Sequence, residues 1–217
     1  MKYKCLVFDH DDTAVNSTAT IHHPCFQLFL DKYRPGMKCG LEDYFLKNFD
    51  PGFMPMARGE YGMSEEELAL EGQFWQEYVK GHIPDAYPGI KEIMERHRAE
   101  GGIICVVSHS HENYIMRDYE HNGLPIPNAV YGWGRPEHER KPNPFPLLDI
   151  MERFGLEKSE LLMIDDLKPG FDMALAAGVD FAAVGWASDI KPIEDFMREN
   201  SRLYFKTVEE LAAFLME

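Results

Sequence analysis

Short apolar runs alternate with segments of helical periodicity along most of this chain, and the alternation is interrupted once. Tyr3–Phe8, Ile103–Val107, Ala129–Tyr131, Leu161–Ile164, Phe181–Val184 and Leu203–Phe205 read as strands. Gly89–Glu100, Glu112–His121, Pro144–Phe154, Gly170–Ala177, Ile193–Asn200 and Val208–Met216 read as the helices around them. Strands joined through helices pair in parallel, which makes this an α/β fold. Between residues 17 and 86 only helical patterns occur, over Ala19–Lys32, Leu41–Asn48 and Ser64–Lys80, punctuated by Pro35-Gly36, Pro51-Gly52 and Pro84. Ser64-Glu65-Glu66-Glu67 is a capping box, with acids placed where the helix dipole favours them. The pattern predicts a core built from residues 1–15 and 86–217, with an all-helical unit, 16–85, inserted after the first strand.

The ends of these strands carry the chemistry. Asp9, Asp11 and Asp12 follow the first apolar run, Cys5-Leu6-Val7-Phe8, without a spacer. Like charges this close raise one another's pKa unless a cation compensates. Alternation along an extended chain sends Asp9 and Asp11 one way and Asp12 the other. Two carboxylates on one side can divide labour, one attacking or binding metal and the other moving a proton. Thr13 offers a hydroxyl to fix the turn or orient Asp9.

A second acidic pair, Asp165-Asp166, follows the run Leu161–Ile164 in the same way. Carboxylates on two strand ends of one parallel sheet can converge at its ligand-binding edge. A hard divalent cation, Mg²⁺ above all, would compensate such a cluster. Ser108-His109-Ser110 after Val107 offers hydroxyls and backbone N–H groups to a phosphate, with Ser108 read either as that ligand or as a helix N-cap. Lys141, in Lys141-Pro142-Asn143-Pro144, places an ammonium in a turn that its prolines stiffen.

Taken in their order along the chain, these segments resemble the haloacid dehalogenase superfamily, in its phosphatase branch with a helical cap, similar to phosphoglycolate phosphatase and beta-phosphoglucomutase. Asp9-His10-Asp11-Asp12-Thr13 matches its DxDxT motif, Ser108 the hydroxyl ending a strand, Lys141 to Pro144 the KPxP turn, and Asp165-Asp166 with Ala176-Ala177-Gly178 the last motif. Tyr87-Pro88-Gly89-Ile90, where the chain re-enters the core, is also similar. The resemblance implies a Rossmann-like three-layer core with an all-helical cap. It implies a Mg²⁺-dependent phosphatase acting on a small phosphate ester, with Asp9 as nucleophile and Asp11 as general acid and base. Ser108, His109 and Lys141 would bind the phosphoryl group. The metal would be held by Asp9, the Asp11 carbonyl and Asp166, with Asp165 as a further ligand or a water-mediated partner.

Two departures stand out. Asp12 replaces the usual glycine, and Gly170 stands where many relatives carry an Asp, the glycine form occurring among mutase-like members. A sugar-phosphate mutase and a non-catalytic sensor of phosphorylated metabolites are the rival readings. In capped relatives His22 and His23 fall where substrate contacts lie, and Arg58 could reach an anion. Their plainer reading is two exposed histidines and a surface arginine, while Phe74, Trp75 and Tyr78 read as cap core. Linkers near Asn16 and Asp85–Pro88 would act as hinges for cap closure.

Charge and composition narrow the partners. With 22 basic and 37 acidic residues the formal charge is −15, which disfavours nucleic acid and anionic membranes. No apolar run approaches the ~20 residues of a membrane span. Cys5, Cys25, Cys39 and Cys105 lack metal-site spacing, and Cys5 and Cys105 sit inside apolar runs. The expectation is a cytoplasmic monomer.

Overall fold

The computed structural model describes residues 2–216. Six strands, β1 (Cys5–Phe8), β2 (Ile103–Val107), β3 (Ala129–Tyr131), β4 (Leu161–Asp165), β5 (Asp180–Val184) and β6 (Leu203–Phe205), form one sheet ordered β3-β2-β1-β4-β5-β6. Every pairing is parallel, and β1 lies between β2 and β4, with Cys5 opposite both Ile103 and Leu161. Strands buried on both faces need apolar residues at every position, which is why these read as continuous runs rather than alternations.

Ten α-helices accompany the sheet among the described residues: α1 (His23–Tyr33), α2 (Leu41–Phe49), α3 (Phe53–Gly59), α4 (Glu65–Lys80), α5 (Ile90–Ala99), α6 (Glu112–His121), α7 (Phe145–Phe154), α8 (Lys168–Ala177), α9 (Lys191–Asn200) and α10 (Val208–Leu215). Leu6, Phe8, Ile104, Val106, Leu162 and Ile164 share one buried cluster with Ile90 and Met94 of α5, Ile115 and Tyr119 of α6 and Leu211 of α10. On the other parity, Cys5 and Cys105 meet across β1 and β2 with their sulfurs 4.0 Å apart. No helix among the described residues is long and apolar enough to cross a membrane.

The chain divides into two compact units, one from the residues up to Asn16 together with those from Asp85 onward, the other Ser17–Pro84. In the first unit the two connecting segments run side by side: the Asn16 N–H donates to the Asp85 carbonyl at 2.9 Å, and Val15 bridges Ala86 antiparallel.

The helical unit has its own core of Phe26, Phe29, Leu30, Tyr44, Met56, Tyr61 and Leu68, partly covered by Phe74. Arg34 forks onto Glu67 at 2.8 and 2.6 Å, tying α1 to the start of α4. The Ser64–Glu67 capping box forms as the sequence indicates.

Two local expectations need correction. The single helix over Ala19–Lys32 is instead a π-helical turn, Thr18–His22, leading into α1. Pro24 has no N–H and its ring crowds the carbonyl four residues back, so the preceding turn is wound one residue wider. Helix α3 was hidden by Pro55, which falls in its first turn, where backbone N–H groups have no intrahelical partner to lose. Nor are His22 and His23 exposed. Both are half-buried, His22 accepting from Trp75 Nε1 at 3.0 Å and His23 donating to the Cys39 carbonyl at 2.8 Å. Arg58 is paired with Glu65, while Tyr78 stacks on His82 rather than entering the core.

Candidate active site

Asp9 is the first residue beyond β1 and Asp165 the last of β4, so two neighbouring strands in register bring their carboxylates to one sheet edge. Lys141 arrives from the turn before α7. Its ammonium lies 2.7 Å from Asp9 Oδ1 and 2.8 Å from Asp165 Oδ2, with all three groups buried. Burial disfavours the charged lysine, but Asp165 and Asp9 outweigh it and hold the Lys141 pKa above its ordinary value. Burial, then repulsion from Asp165, pushes the Asp9 carboxyl upward against the pull of Lys141. Asp165 is taken on both oxygens, its second accepting from the Leu167 N–H at 2.8 Å.

Asp166 completes the acidic group. Thr13 Oγ1 donates to it at 3.2 Å, so this hydroxyl orients Asp166 and not Asp9 as the sequence suggested. Burial and the charges of Asp12, Asp165 and Asp9 push the Asp166 carboxyl well above the usual carboxylate range. The alternation argument also fails at Asp12. Its φ is 61°, the one positive value among described non-glycine residues, and the left-handed turn brings its charge to bear on Asp166. Asp adopts this conformation more readily than most residues, which is how the turn survives without glycine.

Asp11 stands apart from the buried group and is half-exposed. Its Oδ2 accepts from Ser110 Oγ at 2.6 Å and from Ser108 Oγ at 3.3 Å, and Ser108 Oγ in turn accepts from the Ser110 N–H at 2.9 Å. Ser108 is therefore no helix cap; that position belongs to His111, the residue before α6. Ser110 is the site hydroxyl that strand-end reasoning undervalued, although it stands in the same Ser-His-Ser triplet.

His109 donates from Nε2 to the Lys141 carbonyl at 3.0 Å, since a carbonyl can only accept. Desolvation of the ring and the Lys141 ammonium hold its pKa below the ordinary histidine value. His10 pairs with Asp118 at 3.1 Å, away from the acidic group.

The connection that leads to Lys141 is anchored at its start from α6. Glu112 accepts from the Gly132 N–H at 3.1 Å and the Gly134 N–H at 3.3 Å, anchoring the start of the connection between β3 and α7.

These residues suit a metal. Ligand oxygens of Asp9, Asp165 and Asp166 lie within 4.8 Å of one another, all buried. Three carboxylates against one ammonium leave an excess of negative charge that burial makes costly, and a hard cation with oxygen ligands is what such a set accepts. With Asp165 engaged by Lys141 and Leu167, Asp9 and Asp166 present the more open oxygens.

Comparison with known proteins agrees with this arrangement. A phosphoglycolate phosphatase of Aliivibrio fischeri is 24% identical over 202 residues, covering 88% of each chain. A family hydrolase from Deinococcus radiodurans, solved with bound phosphate and sodium, superposes with a TM-score of 0.72 at 18% identity, over 99% of this chain and 95% of that one. A candidate beta-phosphoglucomutase from Bacteroides vulgatus gives 0.74 at 22%, over 95% and 85%. These likenesses extend to the whole fold. The family model for haloacid dehalogenase-like hydrolases matches residues 6–184, a span that runs from β1 through β5 and includes every strand-end residue described above, and the chain belongs to that family.

Proposed function

We propose that this hydrolase is a phosphatase that cleaves a small phosphate monoester through a covalent intermediate on Asp9. The observation that carries the reading is the buried Asp9–Lys141–Asp165 bridge beside Asp166. A carboxylate held by one ammonium, with further acids at hand for a cation, is a nucleophile built to approach a dianion without repelling it. Phosphoryl transfer is mostly positioning and charge neutralisation, and both are provided here.

An oxygen of Asp9 attacks phosphorus, and the bond from phosphorus to the ester oxygen breaks. Asp11, protonated, gives its proton to the departing alkoxide, which leaves as the alcohol. Asp11 as carboxylate then takes a proton from water, the hydroxide adds to phosphorus, and the acyl-phosphate bond breaks to return Asp9 and inorganic phosphate. Ser108 and Ser110 keep Asp11 aimed through both steps, and Ser108, His109 and Lys141 would bind the transferring group. Mg²⁺, held by Asp9, the Asp11 carbonyl and Asp166, would neutralise charge on the phosphoryl oxygens. Asp165 serves by holding Lys141. The residues Ser17–Pro84 are read as the family's cap.

The assay is release of phosphate from 2-phosphoglycolate, the substrate class named for the relative from A. fischeri, and from a generic aryl phosphate. Release is expected to need Mg²⁺, to stop with chelator and to disappear in Asp9→Asn. A native protein that releases no phosphate from any ester in a broad panel, with Mg²⁺ present, refutes the proposal and favours a sensor.

A further inference from the structure

One arginine near the site has no acid to bind. The Arg140 guanidinium lies over the Trp133 ring, 4.1 Å from its centroid. Its Nε is buried without a hydrogen-bond partner, and among the described residues no carboxylate pairs with it. Arg98 also has a buried, unpartnered Nε, but its guanidinium donates to the Ile126 carbonyl, whereas Arg140 directly precedes Lys141. The acids nearby are taken. Glu112 serves the Gly132 and Gly134 N–H groups, and Glu139 pairs with Arg135 at 2.9 Å.

The position of the pair matters as much as its lack of a partner. The Trp133 N–H donates to the Ser110 carbonyl at 2.9 Å, and its ring meets His109 edge-on at 5.8 Å. Arg140 directly precedes Lys141. The pair is thus fastened to both segments that carry the phosphate-facing residues, and Trp133 keeps 36% of its surface exposed. A guanidinium stacked on an aromatic face is pre-oriented and offers a planar fork suited to carboxylate or phosphate oxygens.

We propose that Arg140, braced by Trp133, is a specificity-determining residue that binds a second anionic group on the phosphate ester taken by this site. The proposal rests on the phosphatase reading. It places discrimination in the sheet unit itself, on the connection between β3 and α7.

The test compares kcat/KM for ethyl phosphate, 2-phosphoglycolate and a sugar bisphosphate in native protein, Arg140→Gln, Arg140→Lys and Trp133→Leu. The first ester has no second anion, the second has a carboxylate and the third a phosphate, so the preferred source is read directly. The native protein is expected to favour one doubly anionic ester. Arg140→Gln should cut that ester's kcat/KM by about 10- to 100-fold, mainly through KM, as loss of a charge-assisted contact does. Ethyl phosphate should change less than about threefold on the same grounds, and Arg140→Lys should recover part of the preference. Trp133→Leu should lose part of it, and decides the matter if Arg140→Gln does not fold. Equal loss on all three esters, or no loss on any, overturns the assignment while leaving the phosphatase reading intact. If the native protein cleaves none of the three, the assignment of Arg140 falls, while the phosphatase reading is decided by the broad panel of esters.

Discussion

Gly170 offers the sharpest test of how the site is held, because the structure turns a usually stabilising change into a damaging one. Gly170 lies in the first turn of α8, and a Cβ built there would sit 2.0 Å from Asp165 Oδ2 and 2.4 Å from its Cγ. Ordinary contact needs about 3.4 Å, so in Gly170→Ala the carboxylate must retreat by more than an ångström. The oxygen that moves is the one 2.8 Å from Lys141. Breaking one arm of a buried ion pair costs about 3–5 kcal/mol, while alanine in place of a helical glycine returns about 1 kcal/mol, for a net loss of about 2–4 kcal/mol. Gly72 of α4 is the matched control. Nothing lies within 4 Å of its built Cβ, so Gly72→Ala should gain about 0.5–1 kcal/mol. Urea unfolding followed by circular dichroism reads both, and phosphate release should fall only in Gly170→Ala. A Gly170→Ala midpoint at or above the native one, with activity retained, would show that Asp165 is not packed against α8 and that the Lys141 bridge is not set as described.

Other outcomes follow from single contacts. Lys141→Met leaves Asp9 and Asp165 buried without their cation and should cost about 3–5 kcal/mol in urea unfolding, together with phosphate release. Ser110→Ala removes the 2.6 Å bond to Asp11 and should lower kcat about tenfold or more, with stability nearly unchanged, as read by steady-state kinetics beside thermal unfolding. Glu71, buried in α4, has its pKa pushed up from 4.5 to about 7 by burial, which the nearby His22 only partly offsets. The folded chain then holds a proton that the unfolded chain releases, so stability is full below pH ~4.5 and falls as pH rises toward 7. The fall should total about 3 kcal/mol, and Glu71→Gln should abolish it in unfolding midpoints measured from pH 4 to 8.

What the sequence disclosed was whatever depends on neighbours along the chain. The central strands could be read because a strand covered on both faces has no polar position to blur its run, and the acids at Asp9 and Asp165 stood out because charge follows directly on such a run. The capping box at Ser64 is likewise a contact across three residues. The misreadings all needed the third dimension or a backbone exception. The partner of Thr13 is Asp166, 153 residues away. Asp12 leaves the two-residue alternation because its φ is positive, and Pro55 reads as a breaker until one knows that it falls in the first turn of a helix. The role of Gly170 was invisible for the same reason: its neighbour Asp165 is close in sequence, but only the packing of α8 on β4 shows that their atoms compete for one space.

The strand order explains why local signals nevertheless added up to a site. β1 pairs with β2 on one side and β4 on the other, so chain connections leave its C-terminal end in opposite directions and open a crevice there. Asp9, Ser108 and Asp165 end those three strands, and parallel register alone is enough to gather them. What register does not supply is the counter-charge, because carboxylates gathered this way repel. Lys141 comes from a connection following β3, outside the three central strands, whose start Glu112 anchors and whose Lys141 carbonyl accepts from His109. Removing that anchor separates the two contributions. Glu112→Ala should leave the acids in place but loosen Lys141, so that kcat/KM for every phosphate ester falls together while the unfolding midpoint shifts by less than in Lys141→Met. If Glu112→Ala destabilised the chain as much as Lys141→Met while sparing catalysis, the turn would be part of the scaffold alone, and the delivery of the ammonium would have to be explained from α7.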